Sequence, residues 1–228
     1  MGTPVERRYS GRMTVPVENF PALEERRFAH AFVGRVPGIE LSTDKQTVLA
    51  RLDEVHGSVR GELGVGSYAF ATAQQLHGNG VAIIDAPLAH DRCFSNCDGM
   101  ITNQRNVCLG IYVADCCAVY LADRQHRAIG LVHSGKKGTD LGIVPKAIGL
   151  LHEHFGIAPA DLVAQLSPCI RPPHYEVDFA AQIIEQCRAA GVDETHDTGR
   201  CTACDLGRYY SYRAEKGRTG RMLALLAL

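Results

Sequence analysis

Two residues with side chains suited to metal binding or nucleophilic chemistry, Cys116 and His133, stand at the ends of neighbouring apolar segments. Cys116 precedes one segment of strand character, His133 ends the next, and a short polar turn separates the two. A tight hairpin through this turn pairs Ala122 with Arg127 and so places Cys116 opposite His133. Side chains opposed in this way share a face, with Cβ atoms about 4.5–5.5 Å apart. We therefore predict that the thiol and the imidazole meet and hold one metal ion.

His77, in a polar, glycine-bearing turn after another strand-like segment, is the candidate third ligand. Three protein ligands from histidine and cysteine, with an open fourth position, are typical of a catalytic zinc ion. Asp115 is next to Cys116 and is placed to orient a ligand or to move a proton. We therefore predict His77, Cys116 and His133 as metal ligands, and Cys116, His133 and Asp115 as catalytic residues. An exposed loop histidine, a core cysteine and a strand-end histidine explain the same pattern without a metal.

The order of the strand and helix patterns around these residues predicts an α+β fold. We expect a mixed β-sheet flanked by helices, in a single domain spanning residues 1–228. No repeat, low-complexity tract or linker divides the chain. Residues 1–30 are weakly patterned and predict an irregular arm that ends in a short strand near residues 27–33. Apolar periodicity predicts helices over 42–60, 141–155 and 179–190, and strands over 68–72, 81–84, 107–113, 118–122, 128–133, 162–166 and 222–226.

Charge and composition exclude several classes of partner. The formal net charge is −1, which provides no basic surface for nucleic acid or for an anionic membrane. The longest apolar run, at the C-terminus, is too short to cross a bilayer. No secretory signal is visible, so we expect the nine cysteines to be reduced thiols in the cytoplasm. The sequence leaves the oligomeric state open.

A second cysteine pattern is Cys201-x-x-Cys204, whose spacing is common in zinc ribbons. Cys93 and Cys97 are candidates for the other half of a four-cysteine site. A single pair with this spacing is also compatible with a packing role.

Several motifs together resemble the laccase-like polyphenol oxidase (YfiH-type) family. ADCC at 114–117, VHSGKKG at 132–138, QLHGNGV at 75–81 and DGMITN at 98–103 are similar to that family's TADCLPV, AHAGWRG, QVHG and DALVT patterns. LSPCIRPPHYEV and CTACDLGRYYSYRAEKGRTGRM resemble its two later motifs. The resemblance runs in order from about residue 70 to the C-terminus.

The resemblance implies a zinc site on the same three residues, with copper possible, and activity on purine nucleosides. Two reactions are implied, namely phosphorolysis of adenosine or inosine with phosphate, and deamination of adenosine. Gln75 and Arg213 match family positions, and Lys137 stands where the family has an arginine. These three are the predicted substrate-binding residues. The chain departs from the family at Lys136, which replaces a tryptophan, and in its divergent N-terminal part, residues 1–60.

Three other functions remain open on sequence grounds. A metal-free cysteine hydrolase acting on an amide of cell-wall precursors would use Cys116 as nucleophile, His133 as base and Asp115 as the orienting group. A copper polyphenol oxidase would add a distant methionine such as Met100 to the two histidines and the cysteine. An inactive binding module would account for Lys136.

Overall fold

Thirteen strands and five α-helices make up the part of the chain that the computed structural model describes, residues 5–9 and 13–228. The strands are β1 Val5–Tyr9, β2 Met13–Glu18, β3 Ala29–Val33, β4 Ala69–Ala73, β5 Val81–Ile84, β6 Arg92–Phe94, β7 Gly99–Thr102, β8 Val107–Val113, β9 Cys117–Asp123, β10 Ile129–Ser134, β11 Leu162–Leu166, β12 Glu194–Asp197 and β13 Met222–Ala227. The helices are α1 Pro21–Glu24, α2 Lys45–Glu62, α3 Lys136–Asp140, α4 Ile143–Phe155 and α5 Phe179–Ala189.

These strands form two mixed sheets. The first has the order β1-β2-β3-β13-β8-β4-β6, and the second has the order β12-β11-β9-β10-β7-β5. Each sheet combines antiparallel hairpins with parallel pairs, such as β4 with β8 and β5 with β7. The α+β prediction is confirmed, although the strands divide between two sheets rather than one.

The two sheets pack face to face, because their central strands are apolar on both sides. Every residue of β9 is buried. Ala118 and Tyr120 point to the first sheet, where they meet Ile111 of β8 in a shared core. Val119 and Leu121 point the other way, into a core with α4 and α5. Helix α2 covers the outer face of the first sheet, which completes four layers in the order helix, sheet, sheet, helix.

Local signals set the element boundaries, and they correct the predicted starts of two helices. Helix α2 begins after Asp44, whose carboxylate accepts from the Thr47 N–H at 2.7 Å and caps the helix. The helix therefore starts at Lys45 rather than at the predicted residue 42. The helix predicted over 141–155 is α4, which begins at Ile143 because Gly142 adopts a left-handed conformation with φ of 68°. Gly142 separates α4 from the short helix α3, which the sequence analysis did not predict.

The predicted irregular arm is also wrong over its described part. The region before residue 30 contains β1, β2 and α1, and β2 pairs with β3 in the first sheet. The arm's positions 1–4 and 10–12 lie outside the described residues. Among the described helices, none combines the length and the apolar character that a bilayer crossing requires.

Tyr120 provides a polar link between the sheets. Its ring is fully buried, and its hydroxyl donates to the Ala31 carbonyl of β3 at 2.9 Å. Burial raises the pKa of this phenol well above its usual value. The hydroxyl therefore remains protonated and serves as a donor in the centre of the core.

We expect Tyr120→Phe to lower the free energy of unfolding by about 0.5–1.5 kcal/mol, the typical net contribution of one buried hydrogen bond. Urea unfolding followed by far-ultraviolet circular dichroism measures the change. The matched control is Tyr68→Phe, because the Tyr68 hydroxyl makes no hydrogen bond within residues 5–9 and 13–228. Equal stability of the two variants would show that the link between the sheets contributes nothing.

Candidate metal centre

The three predicted ligands come together at one end of the space between the sheets. The ligand atoms of His77, Cys116 and His133 all lie within 4.8 Å of one another. The two imidazole rings meet edge to face, with centroids 4.9 Å apart. His133 is buried, Cys116 is half-buried and His77 is exposed. The cluster is therefore a set of nitrogen and sulfur donors with access from one side.

The hairpin carries Cys116 and His133 in a different register from the predicted one. Ala122 pairs with Ile129 instead of Arg127, and His133 pairs with Ala118 instead of Cys116. The turn is longer because the Asp123 carboxylate accepts from the N–H and guanidinium of Arg127. The register moves by an even number of residues, so Cys116 and His133 still share a face as diagonal neighbours.

Gly135 provides the space that the Cys116 thiol occupies. A Cβ atom built on Gly135 would lie 2.5 Å from the Cys116 sulfur and 3.5 Å from its Cβ. Real Cβ atoms do not approach sulfur this closely, so a side chain at this position would displace the thiol. Glycine at 135 is therefore a requirement of the cluster.

A carboxylate that the sequence analysis did not assign to the site, Asp98, holds two of the three ligands in place. Its oxygens accept from the backbone N–H groups of Leu76, His77 and Gly78 at 3.1, 2.7 and 2.9 Å. The same carboxylate lies 3.0 Å from His133 Nδ1. That contact fixes the ring and directs His133 Nε2 toward the cluster. Asp98 thus positions His77 through its backbone and His133 through its side chain.

The charges of these groups support one another. Burial opposes the ionisation of Asp98, but hydrogen bonds from His133 and Gly78 outweigh it and lower the Asp98 pKa to about 2. Burial also opposes charge on Cys116, yet the imidazolium of His133 lowers the Cys116 pKa to about 6. In return, the thiolate and Asp98 overcome desolvation and raise the His133 pKa to about 9. A thiolate, the form that binds metal, is therefore available at neutral pH.

Asp115 lies beside the cluster, but its carboxylate is occupied. One oxygen accepts from Thr202 Oγ1 and the other from the Arg213 N–H, each at 2.7 Å. Its backbone has a φ of 83°, a conformation that non-glycine residues seldom adopt. Asp98, and not Asp115, contacts His133. The position of Asp115 therefore fits a role in bracing the loop that precedes Cys116, while its catalytic role stays a prediction.

A cavity of about 730 Å³ opens from the cluster. It is lined by Lys45, Gln75, His77, Tyr112, Ala114, Asp115, Cys116, His133, Gly135, Lys136, Lys137, Asp140, Ile170, Tyr175, Phe179, Tyr212, Arg213 and Arg221. Five of these side chains are lysine or arginine, and only two are carboxylates. Four are aromatic. The cavity is thus large enough for a small molecule, and it suits one with an anionic part and a flat ring.

The three predicted substrate-binding residues all line this cavity. They differ in how far their side chains already bond to other groups of the protein. Both polar atoms of the Gln75 side chain bond to the backbone of Tyr112, at 2.6 and 3.1 Å. Arg213 pairs with Glu176 at 3.1 Å, and both side chains are more than half exposed. The Lys137 ammonium group has no hydrogen bond or ion pair within the described part of the chain. Lys137 is therefore the freest of the three to bind a ligand.

Two cationic residues of the cavity, Lys45 and Arg221, were missed by the sequence analysis. They come from the start of α2 and the start of β13, far apart in sequence. Burial and the charge of Arg221 lower the pKa of Lys45, and burial lowers the pKa of Arg221. Arg221 belongs to the GRTGRM segment of a family-like motif, which was a weak indication of a functional role. Lys45 lies near the start of a predicted helix, and nothing else in the sequence indicated a role for it. An anion between them would relieve their mutual repulsion.

We expect Asp98→Asn to weaken zinc binding about 10–100-fold, the usual effect of losing a residue that orients metal ligands. The amide NH₂ would face backbone N–H groups that now donate to a carboxylate oxygen. Competition with a chromophoric chelator measures the apparent Kd. Asp91→Asn is the control, because Asp91 also accepts a backbone N–H, from Phe70 at 2.8 Å, but lies outside the cavity lining. Unchanged affinity in Asp98→Asn would refute this role.

In metal-free protein, we expect alkylation of Cys116 by iodoacetamide to accelerate as the pH rises through about 6, where this thiol ionises. Cys108 and Cys187 should remain unmodified at neutral pH, because burial raises their pKa values to about 12. Peptide mass spectrometry across a pH series gives the rate at each cysteine. A Cys116 rate that rises only near an ordinary thiol pKa of about 8.5 would contradict the ion pair with His133.

Comparison with solved structures places the fold. The crystal structure of YlmD from Geobacillus stearothermophilus matches with a TM-score of 0.76 over 99% of both chains at 21% identity. The crystal structure of a hypothetical protein, YfiH, from Bacillus licheniformis matches with a TM-score of 0.71 over 95% of this chain and 93% of that one, at 20% identity. At these identities the likeness concerns the fold.

Sequence comparison adds relatives with named activities. A purine nucleoside phosphorylase from Deinococcus radiodurans is 31% identical over 95% of both proteins. The purine nucleoside phosphorylase YlmD from Geobacillus stearothermophilus is 30% identical over 57% of this chain and 59% of its own length. The model of the family described as multi-copper polyphenol oxidoreductase laccase matches residues 37–183 and 177–228. The chain belongs to this laccase-like family, as its motifs predicted.

Proposed function

We propose that this protein is a zinc-dependent purine nucleoside phosphorylase. The observation that carries the proposal is the cavity that joins the His77–Cys116–His133 cluster to cationic and aromatic side chains. Relatives named purine nucleoside phosphorylase support the same substrate class. The predicted partners are accordingly small molecules, a purine nucleoside and phosphate. A cytoplasmic location stays a prediction.

The donor set of the cluster fits zinc. Two imidazoles and a thiolate satisfy the ligand preference of Zn²⁺ and leave a position for substrate. When bound there, zinc supplies a Lewis acid that polarises an oxygen of the substrate. Asp98 keeps His133 in the orientation that a ligand needs. Copper accepts the same donors, but Met100, the candidate axial ligand, lies in the apolar core and outside the cavity lining.

Binding of phosphate is assigned to the cations of the cavity. Lys137 has no competing partner among the described residues, and Arg221 donates only to the carbonyl groups of Thr219 and Gly220 there. Lys45 lies close enough to Arg221 for the arginine's charge to lower its pKa. A phosphate carries several negative oxygens and can accept hydrogen bonds from more than one of these cations.

The aromatic side chains suit the purine ring. Tyr175 packs edge to face on Phe179, and the Arg213 guanidinium lies 4.8 Å from the Tyr175 ring centroid. Tyr212 is 55% exposed at the cavity and offers a free face for stacking. With the base held there and phosphate held by the lysines, a phosphate oxygen attacks the ribose C1′ as the C1′–N9 bond breaks. The purine then takes up a proton and leaves.

Two other reactions rest on particular features. Adenosine deamination would use the same cluster to activate a water molecule. It needs no phosphate, so it would not require the cationic side chains of the cavity, whereas phosphorolysis would. A metal-free cysteine hydrolase is favoured by the Cys116–His133 ion pair, with Asp98 in the orienting position. The second imidazole, His77, has no task in that hydrolase, whereas it completes a metal site.

Zinc-loaded protein supplied with adenosine or inosine should yield free base and ribose 1-phosphate only when phosphate is present, as measured by chromatography. Cys116→Ser should abolish turnover, because it removes the only sulfur ligand of the cluster. Cys93→Ser, which changes an exposed cysteine outside the cavity lining, should leave turnover unchanged. Phosphate-independent inosine from adenosine would instead establish a deaminase. No product with any of these substrates would overturn the assignment to nucleosides.

The phosphate subsite has its own test. Lys137→Ala should raise the KM for phosphate about tenfold, since a hydrogen bond to a charged group contributes about 1.5–3 kcal/mol. The matched control is Lys146→Ala, which removes an exposed lysine of α4 that does not line the cavity. Equal KM values for the two variants would place phosphate elsewhere.

A further inference from the structure

A second group of soft ligands lies apart from the first cluster, on His174, Cys201 and Cys204. Their ligand atoms lie within 4.8 Å of one another, with Cys201 half-buried and the other two exposed. His174 Nε2 is 4.0 Å from the Cys204 sulfur. None of the three belongs to the cavity lining described above. The group therefore has no part in the proposed reaction.

The sequence analysis predicted Cys93 and Cys97 as partners of the Cys201-x-x-Cys204 pair, and this is wrong. Cys93 lies exposed in β6, at the edge of the first sheet, and Cys97 is buried beside the Phe94 carbonyl. Neither joins the group. His174 takes their place, and it comes from the proline-rich turn that follows Cys169.

The backbone holds the two segments of this group together. Cys169 and Cys201 form a parallel bridge, with bonds from the Cys169 N–H to the Arg200 carbonyl and from the Thr202 N–H to the Cys169 carbonyl, both 3.2 Å. His174 is placed by its own N–H, which donates to the Arg171 carbonyl at 2.9 Å. Arg171 in turn pairs with Asp197 at 2.5 Å. The backbone segments that carry the three candidate ligands are thus held beside one another.

The two cysteines are also held by local structure. A single 3₁₀ turn, Thr202–Cys204, follows Cys201 and ends at Cys204. The Cys204 N–H donates to the Cys201 carbonyl at 3.2 Å. This compact turn brings both sulfurs to one side, as in the metal-binding knuckles of zinc proteins. Both thiols are free.

We propose that His174, Cys201 and Cys204 bind a second divalent cation of soft character, with zinc as the expected ion. Two thiolates and one imidazole provide three ligands of the kind zinc prefers, and exposure leaves the fourth position to water. Thr202, between the two cysteines, donates to the Asp115 carboxylate at 2.7 Å, and Asp115 precedes Cys116. The second ion would therefore fix the segment that braces the loop of the first centre.

Cobalt binding tests the proposal, because thiolate ligands give Co²⁺ a near-ultraviolet charge-transfer band. In Cys116→Ser, where the first centre has no sulfur, we expect one equivalent of Co²⁺ to produce this band. The band should disappear in Cys116→Ser/Cys204→Ser. It should persist in Cys116→Ser/Cys93→Ser, which removes an exposed cysteine outside both groups.

Zinc stoichiometry of otherwise unmodified protein gives a second measurement. Elemental analysis should find two equivalents in the wild type and one in Cys204→Ser and in His174→Gln, with circular dichroism verifying the fold. The proposal is overturned if Cys116→Ser gives no cobalt band. This holds when Cys201 and Cys204 are free thiols, and it also holds when they form a disulfide, because the pair then does not serve as metal ligands. It is also overturned if the wild type and Cys204→Ser both bind a single equivalent. Activity enters neither measurement, so failure of the phosphorylase assignment would leave this test intact.

Discussion

The hydrogen bonds to the Asp98 carboxylate are the interactions on which the candidate metal centre depends. Asp98 comes immediately before β7, and its carboxylate collects three backbone N–H groups of the loop that carries His77 together with the ring of His133. These two candidate ligands come from separate segments, and the carboxylate joins the backbone of one to the side chain of the other. The carboxylate remains charged because its donors outweigh the cost of burial. A buried charge with four donors is stable, and removing any donor leaves it poorly compensated.

The layered architecture explains why the centre lies where it does. Strands β9 and β10 are buried on both faces, so a polar cluster fits only where the sheets end. Cys116 precedes β9, and His133 lies one residue from the end of β10. Gly135 follows directly and leaves room for the thiol. The loops that carry His77 and Cys116 adopt unusual backbone conformations at the site, with positive φ at Gln75, His77 and Asp115. Such strain is characteristic of functional sites.

The sequence predicted much of this arrangement and missed the parts that depend on distant contacts. Apolar periodicity was sufficient for α4, α5 and the central strands. Spacing and motifs together named His77, Cys116 and His133, whose side chains the structure brings together. The register of the β9–β10 hairpin was predicted wrongly, because the interaction of Asp123 with Arg127 lengthens the turn and lies outside the usual hairpin patterns. Asp98 was not predicted as part of the site, because its role depends on a loop some twenty residues earlier in the chain. Neither the division into two sheets nor the convergence of Lys45 with Arg221 follows from local pattern.

The departure at position 136 bears on specificity more than on the centre. Lys136 replaces the family tryptophan at the start of α3, where its ammonium group pairs with Asp140 at 3.3 Å and both side chains are nearly half exposed. An exposed pair of this kind contributes little to stability, so a ligand can compete for either partner at small cost. The substitution exchanges an aromatic surface for a charge at the edge of the cavity. Under the proposed function, stacking of the purine base would fall to Tyr175 and Tyr212, while α3 would present Lys136 and Lys137 to an anionic part of the ligand.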